Sequence, residues 1–199
     1  MSNCKNCGHP LDNKFCPQCG QSASTERFTA KHLVHEFMHG FFHIDHGIIY
    51  TAKALFQNPG KMLRDYLHGK RKDYFNPFTF ILLISGLLAI FLPKLLERSL
   101  FVEFGWVDPK NIDTNVMKNS IKHISIRIVL GLPLFALVSF IFYRRKEFNY
   151  YENLIANTYL RGQSELYMLL LFPLLIISPT HSIGIVFSVL YILITIFII

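Results

Sequence analysis

The chain has 199 residues, a formal net charge of +7 and 51% apolar residues, 19 of them Phe. A water-soluble domain scatters that fraction periodically, whereas here it is bunched into four blocks with the cations bunched between them, which argues against that class. All four cysteines fall within the first nineteen residues, so none remains for a disulfide elsewhere, the usage of a reducing compartment with a metal site.

The N-terminus is polar and cysteine-rich, so it is not expected to act as a signal peptide. Cys4-Lys5-Asn6-Cys7-Gly8 and Cys16-Pro17-Gln18-Cys19-Gly20 are two C-x-x-C-G knuckles separated by eight residues. Each turn must aim backbone N–H groups at two thiolates, and Gly after the second Cys permits the positive φ this needs. Cys4, Cys7, Cys16 and Cys19 therefore predict a ribbon over 1–22 that closes around structural Zn²⁺ with no position left for water. So short a segment has almost no core, and metal binding would supply most of its folding free energy. The competing readings are two redox C-x-x-C pairs or a frayed tail. The ribbon lacks a basic stripe of its own, which favours a protein partner over nucleic acid.

Residues 23–77 read as cytosolic or interfacial helices. After the polar linker Gln21 to Glu26, a helix is predicted from Phe28 to about Gln57, bent near Gly40 and Gly47. At about 100° per residue, Leu33, Phe37, Phe41, Ile44 and Ile48 share one arc. His32, His35, His39, His43 and His46 share the opposite arc, so the helix is expected to lie in the interface, aromatic side down. His35-Glu36-Phe37-Met38-His39 also matches H-E-x-x-H, in which two His bind catalytic zinc and Glu36 acts as base. No third ligand with a supporting motif accompanies it. A second metal site or a pH-responsive face competes with it, since clustered imidazoles titrate near neutrality. A solvated or packing face is the favoured reading of the stripe.

Asn58-Pro59-Gly60 is a turn, Lys61 to His68 a short helix, and Gly69 its C-terminal cap. Lys70, Arg71 and Lys72 then form a basic rim suited to anionic lipid headgroups, worth about 1 kcal/mol per cation, or serving only to set orientation.

The uncharged run Phe78 to Leu92 opens a predicted transmembrane bundle over 78–199, with spans at about 78–96, 124–143, 165–178 and 183–199. Trp106 and Pro109 lie in the first connection, Arg127 is placed to snorkel, and Pro133 to kink the second span. Arg144, Arg145 and Lys146 form a second headgroup cluster. The cation distribution places both termini in the cytosol of a bacterial inner membrane. Asn157, Arg161 and Glu165 recur at four-residue spacing, so Arg161 and Glu165 are expected to pair. They would line a pore vestibule or, more simply, cap an interfacial helix. Ser85-Gly86 and Gly131 suit close helix packing.

Three stretches carry a resemblance: C-x-x-C-G…F-C-x-x-C-G-Q over Cys4 to Gln21, Thr51…Leu55…Pro59-Gly60, and Asp65-Tyr66-Leu67-x-Gly69-Lys70-Arg71-x-x-Tyr74-x-x-Pro77. Tyr151-Glu152-Asn153-Leu154 is a fourth. Together they resemble a family of uncharacterised bacterial multi-pass membrane proteins with an N-terminal zinc ribbon. The likeness implies architecture and no mechanism. In size and expected topology the chain also looks like membrane accessories of RNA-guided defence nucleases, which implies an oligomeric pore as a competing function.

The expected fold class is thus an all-α membrane protein with four transmembrane helices, an N-terminal zinc ribbon and cytosolic amphipathic helices. The expected function is non-enzymatic recruitment or sensing of a cytosolic protein, with membrane lipids and further copies of the chain as the other partners.

Overall fold

A computed structural model describes residues 2–34, 47–97, 124–142 and 148–177. The chain divides into two compact units, one of Met1–Phe80 with Pro133–Tyr159, the other of Ile81–Leu132 with Leu160–Ile199. The elements are β1 (Ser2–Asn3), β2 (Pro10–Leu11), α1 (Gly47–Gln57), α2 (Pro59–Leu67), α3 (Pro77–Glu97), α4 (Ile124–Phe142) and α5 (Tyr150–Ile177).

The expectation of four transmembrane spans is overturned: among the described residues no helix is long and apolar enough to cross a membrane. The reason lies in where charge falls. The uncharged run of α3 ends before Lys94, that of α4 begins after Arg127, and that of α5 begins after Glu165. At about 1.5 Å per residue the uncharged run of α3 reaches only ~25 Å, short of the ~30 Å hydrocarbon core. The stretch assigned to the third span is the tail of a 28-residue helix whose first half is polar. The fourth stretch, 183–199, lies outside the described residues, as do 35–46 of the histidine stripe.

In the first unit, β1 and β2 pair antiparallel, Ser2 opposite Leu11 and Asn3 opposite Pro10. Residues 30–34 are helical and α1 is described from Gly47, while the bend expected near Gly40 lies outside the described residues. A Cβ at Gly47 would sit 3.0 Å from the Asp73 carbonyl oxygen, so a larger residue would push the 73–75 backbone back by a few tenths of an ångström. Helix α2 opens with Asn58 as N-cap, its Oδ1 accepting from Lys61 N at 2.9 Å, and Pro59 at the first position, where no N–H is missed.

Aromatic rings form the core of this unit. Phe28 stacks on Tyr66 at 5.8 Å, and Tyr66 meets Tyr159 edge-on at 5.2 Å. Tyr74 and Phe80 extend the cluster. Ring faces and edges attract in these arrangements beyond the area they bury. The polar edges are satisfied, since the Tyr159 hydroxyl donates to the Phe75 carbonyl at 2.5 Å and Phe75 N donates to Thr51 Oγ1 at 2.7 Å.

Helix α5 begins with a reciprocal cap that the sequence reading passed over. Asn149 Oδ1 accepts from Glu152 N at 2.9 Å, while Glu152 Oε2 accepts from Asn149 N at 2.7 Å. Along α4, Leu134, Phe135, Ile141 and Phe142 stay exposed.

The second unit buries Ile81, Ile84 and Leu88 of α3 and, on α5, Gln163, Ser164 and Glu165. Gln163 Nε2 donates to Tyr167 Oη at 2.7 Å, and Ser164 Oγ donates to the Leu160 carbonyl, both within the helix.

Candidate metal centre

The two knuckles fold alike because their sequences repeat with an offset of twelve. Gly8 N donates to the Cys4 carbonyl and Gly20 N to the Cys16 carbonyl, both at 2.8 Å. Cys4 N donates to the His9 carbonyl and Cys16 N to the Gln21 carbonyl, again both at 2.8 Å. Gly8 and Gly20 take φ of 78° and 75°, the left-handed turn their position predicts. Each knuckle thereby turns two thiols toward the other knuckle.

All four Sγ atoms lie within 4.8 Å of one another, and among the described residues this is the one such group of His, Cys, Asp or Glu. The closest pairs cross between knuckles, Cys7–Cys16 at 3.5 Å and Cys4–Cys19 at 3.6 Å. A disulfide requires about 2.05 Å, so these are separate thiols. A tetrahedron with metal–sulfur bonds of about 2.3 Å has edges of about 3.8 Å. The two cross-knuckle pairs match that edge within a few tenths of an ångström, and every other pair exceeds it by about 1 Å at most.

Backbone N–H groups sharpen that fit. The N–H of Cys7, with that of Asn6 and the neighbouring thiols, pulls the Cys4 thiol down to about 7. Burial pushes Cys16 up, but the N–H groups of Cys19 and Gln18 outweigh it and leave it lowered. The His9 N–H draws Cys7 down, yet burial and the three neighbouring thiols prevail and push it up to about 12. Two thiols are thus ready to ionise, and a bound cation would displace the protons of the other two. Four sulfurs leave no open coordination position, so the arrangement holds shape and activates no water.

The ribbon is seated on the basic loop after α2. Gln21 Oε1 accepts from Arg71 N at 3.0 Å and from Lys72 N at 3.2 Å. Asn6, between the first two ligands, donates through Nδ2 to Asp73 Oδ2 at 3.1 Å. Lys5 Nζ donates to the Thr25 carbonyl at 3.0 Å. Gly69, at φ 110°, lets Thr25 and Lys5 approach where a Cβ would stand, 2.7 Å from Thr25 Oγ1 and 2.8 Å from Lys5 Cδ. Arg71, expected at a lipid surface, is half-buried and makes contacts within the unit. Its Nη2 donates to the Glu26 carbonyl at 2.7 Å and its guanidinium carbon lies 3.7 Å over the Phe28 ring. Lys70 is half-buried and Lys72 exposed.

Residues 45–89 match a family described as a protein of unknown function, DUF3667. The matched segment runs from the start of α1 through the basic loop into α3. It includes the Gly69-Lys70-Arg71 motif and leaves out the cysteines, so it carries nothing on the ribbon or on membrane crossing. No curated protein and no solved structure matches the chain.

Among the stripe, His32 is described: its Nδ1 lies 3.3 Å from the Arg27 carbonyl oxygen. His35, Glu36, His39, His43 and His46, like Arg144, Arg145 and Lys146, lie outside the described residues. Arg161 Nε stands 3.3 Å from Glu165 Oε1, the intrahelical pair its spacing predicts, and Ser85 Oγ donates to Glu165 Oε2. Asn157 Nδ2 donates to Ser139 Oγ at 2.7 Å. Sequence reasoning missed Gln21, Arg27 and Asn149. The signal for Asn149 was present, an Asn with Glu three residues on, ahead of an apolar run.

Proposed function

We propose that the chain is a non-enzymatic recruitment module in which Cys4, Cys7, Cys16 and Cys19 hold structural Zn²⁺ and the ribbon receives a cytosolic protein partner. One observation carries the reading: four sulfurs converge on one point, with no further His, Cys, Asp or Glu in the group among the described residues. Zinc is the metal of choice because four thiolates in a tetrahedron match its softness and its lack of geometric preference. Phe15, beside Cys16 and 63% exposed, then becomes an aromatic anchor on a rigid turn. The exposed apolar side chains of α4 supply a surface for self-association in the same reading.

Elemental analysis of the purified protein is expected to give one zinc per chain, lost in the Cys4→Ser/Cys7→Ser double variant. Crosslinking in cells identifies the partner, and its binding is then measured with purified components. Phe15→Ala is expected to retain zinc and weaken that binding about tenfold or more. Equal binding by wild type, Phe15→Ala and the double variant sinks the recruitment reading.

A further inference from the structure

We propose that zinc occupancy of the cysteine site controls the order of the loop from Gly69 to Asp73, making the ribbon a metal-dependent latch on the basic motif. The inference rests on the metal reading above and concerns its regulation. The contacts that hold the loop come from positions whose placement the metal dictates. Asn6 stands between the ligands Cys4 and Cys7, and Gln21 follows the second knuckle, its own carbonyl accepting from the ligand residue Cys16. Gln21 is only 5% exposed, and its single side-chain oxygen serves two backbone donors, Arg71 N and Lys72 N.

The ribbon cannot keep these contacts without its ion. It has two strands of two residues each and one further bridge, Phe15 to Ser22. Segments this small lack a core, so metal binding and folding are one equilibrium. When zinc leaves, the Gln21 oxygen and the Asn6 amide leave the loop together, and the wedge of Thr25 and Lys5 against Gly69 relaxes. The aromatic cluster beneath does not depend on the ion: Tyr66 and Tyr159 pack against each other and the Tyr159 hydroxyl holds the Phe75 carbonyl. The depleted chain therefore loosens at 69–73 and stays folded from Tyr74 onward. In the loaded state Arg71 is folded over Phe28; in the depleted state the whole Lys70-Arg71-Lys72 run becomes available to an acidic surface.

Hydrogen exchange read by mass spectrometry on the full chain, zinc-loaded and after chelation, tests this. The amides of Arg71 and Lys72 are expected to exchange about fivefold faster or more once zinc is removed, the loss of one ordinary hydrogen bond at each. Amides in the middle of α5 are expected to stay unchanged. Trypsin is expected to cut after Lys70, Arg71 or Lys72 in the depleted form alone. Gln21→Ala, in which the ligands are untouched, is expected to keep one zinc per chain and show the fast exchange without chelation. Zinc binding with unchanged exchange at 71 and 72 overturns the latch and leaves the metal site standing. Uniformly faster exchange through α5 also overturns it, since the ion would then hold the whole unit. A chain that binds no zinc at all overturns the metal reading itself.

Discussion

Arg27 Nη2 lies 2.6 Å from Glu152 Oε2 and Arg27 Nε lies 2.9 Å from Glu152 Oε1, a two-pronged pair joining residues 125 positions apart. The same carboxylate receives Asn149 N, so one buried side chain both starts α5 and tethers the linker behind the ribbon. The Glu152 side chain is 3% exposed and that of Arg27 61%. Solvent screening on the arginine side limits the loss in Arg27→Ala, which is expected to be smaller than that in Glu152→Ala. Glu152→Ala also removes the cap and is expected to cost about 1 kcal/mol more. Denaturant midpoints at unchanged slope check the order, and an Arg27→Ala variant as unstable as Glu152→Ala contradicts it.

Gly69→Ala is expected to destabilise by about 2 kcal/mol or more, because a φ of 110° is strained for any L side chain and its Cβ meets Thr25 and Lys5 under 3.0 Å. Gly60→Ala is the control, with its nearest neighbour at 3.9 Å and a helical position that gains about 0.5–1 kcal/mol from alanine. Thermal unfolding of the pair, measured side by side, should shift in opposite directions.

The carbonyl and amide of Phe75 are both held by side chains, Tyr159 and Thr51. Removing either hydroxyl strands a backbone group in the aromatic core, so Tyr159→Phe and Thr51→Val are each expected to cost about 1–3 kcal/mol. Combined, they should cost other than the sum, since residues bonded to the same peptide group couple. A double-variant cycle read by denaturation decides.

Two buried carboxylates respond to pH in opposite senses. Burial raises Glu152, but the Arg27 hydrogen bonds, the Asn149 N–H and the nearby guanidinium charges outweigh it and hold it below the usual carboxylate range. Its stabilisation is complete above the unfolded value and fades as pH falls through the folded one. Burial holds Glu165 above that range, despite Ser85 and Arg161. Its contribution is complete below the unfolded value and fades as pH rises through the folded one. Glu152→Gln is expected to flatten the acid limb of the stability–pH curve, and Glu165→Gln the decline on the other side. Unfolding followed across the acid range distinguishes them, and parallel curves for both variants refute the assignment.

The metal cluster was legible because its geometry is local: two short turns, each closed by its own glycine, aim four sulfurs at one point. The Arg161–Glu165 pair was legible for the same reason, being one turn apart on a helix. The contacts of Arg71 were not legible because a run of Lys-Arg-Lys looks solvated in sequence, whereas Arg71 N–H and side chain meet Gln21, Glu26 and Phe28, more than forty residues earlier. No periodicity announces such a contact. The first span failed on length, since the apolar bunching is real and Lys94 cuts it short.

Phe28 lies flat on Tyr66 on one side and beneath Arg71 on the other, so a residue from the linker roofs the aromatic centre of the first unit. Any protease that trims the chain past this phenylalanine strips the roof as well as the ribbon. The remainder would keep its helices and gain a sticky aromatic floor, turning a single nick near the front into a route to aggregation.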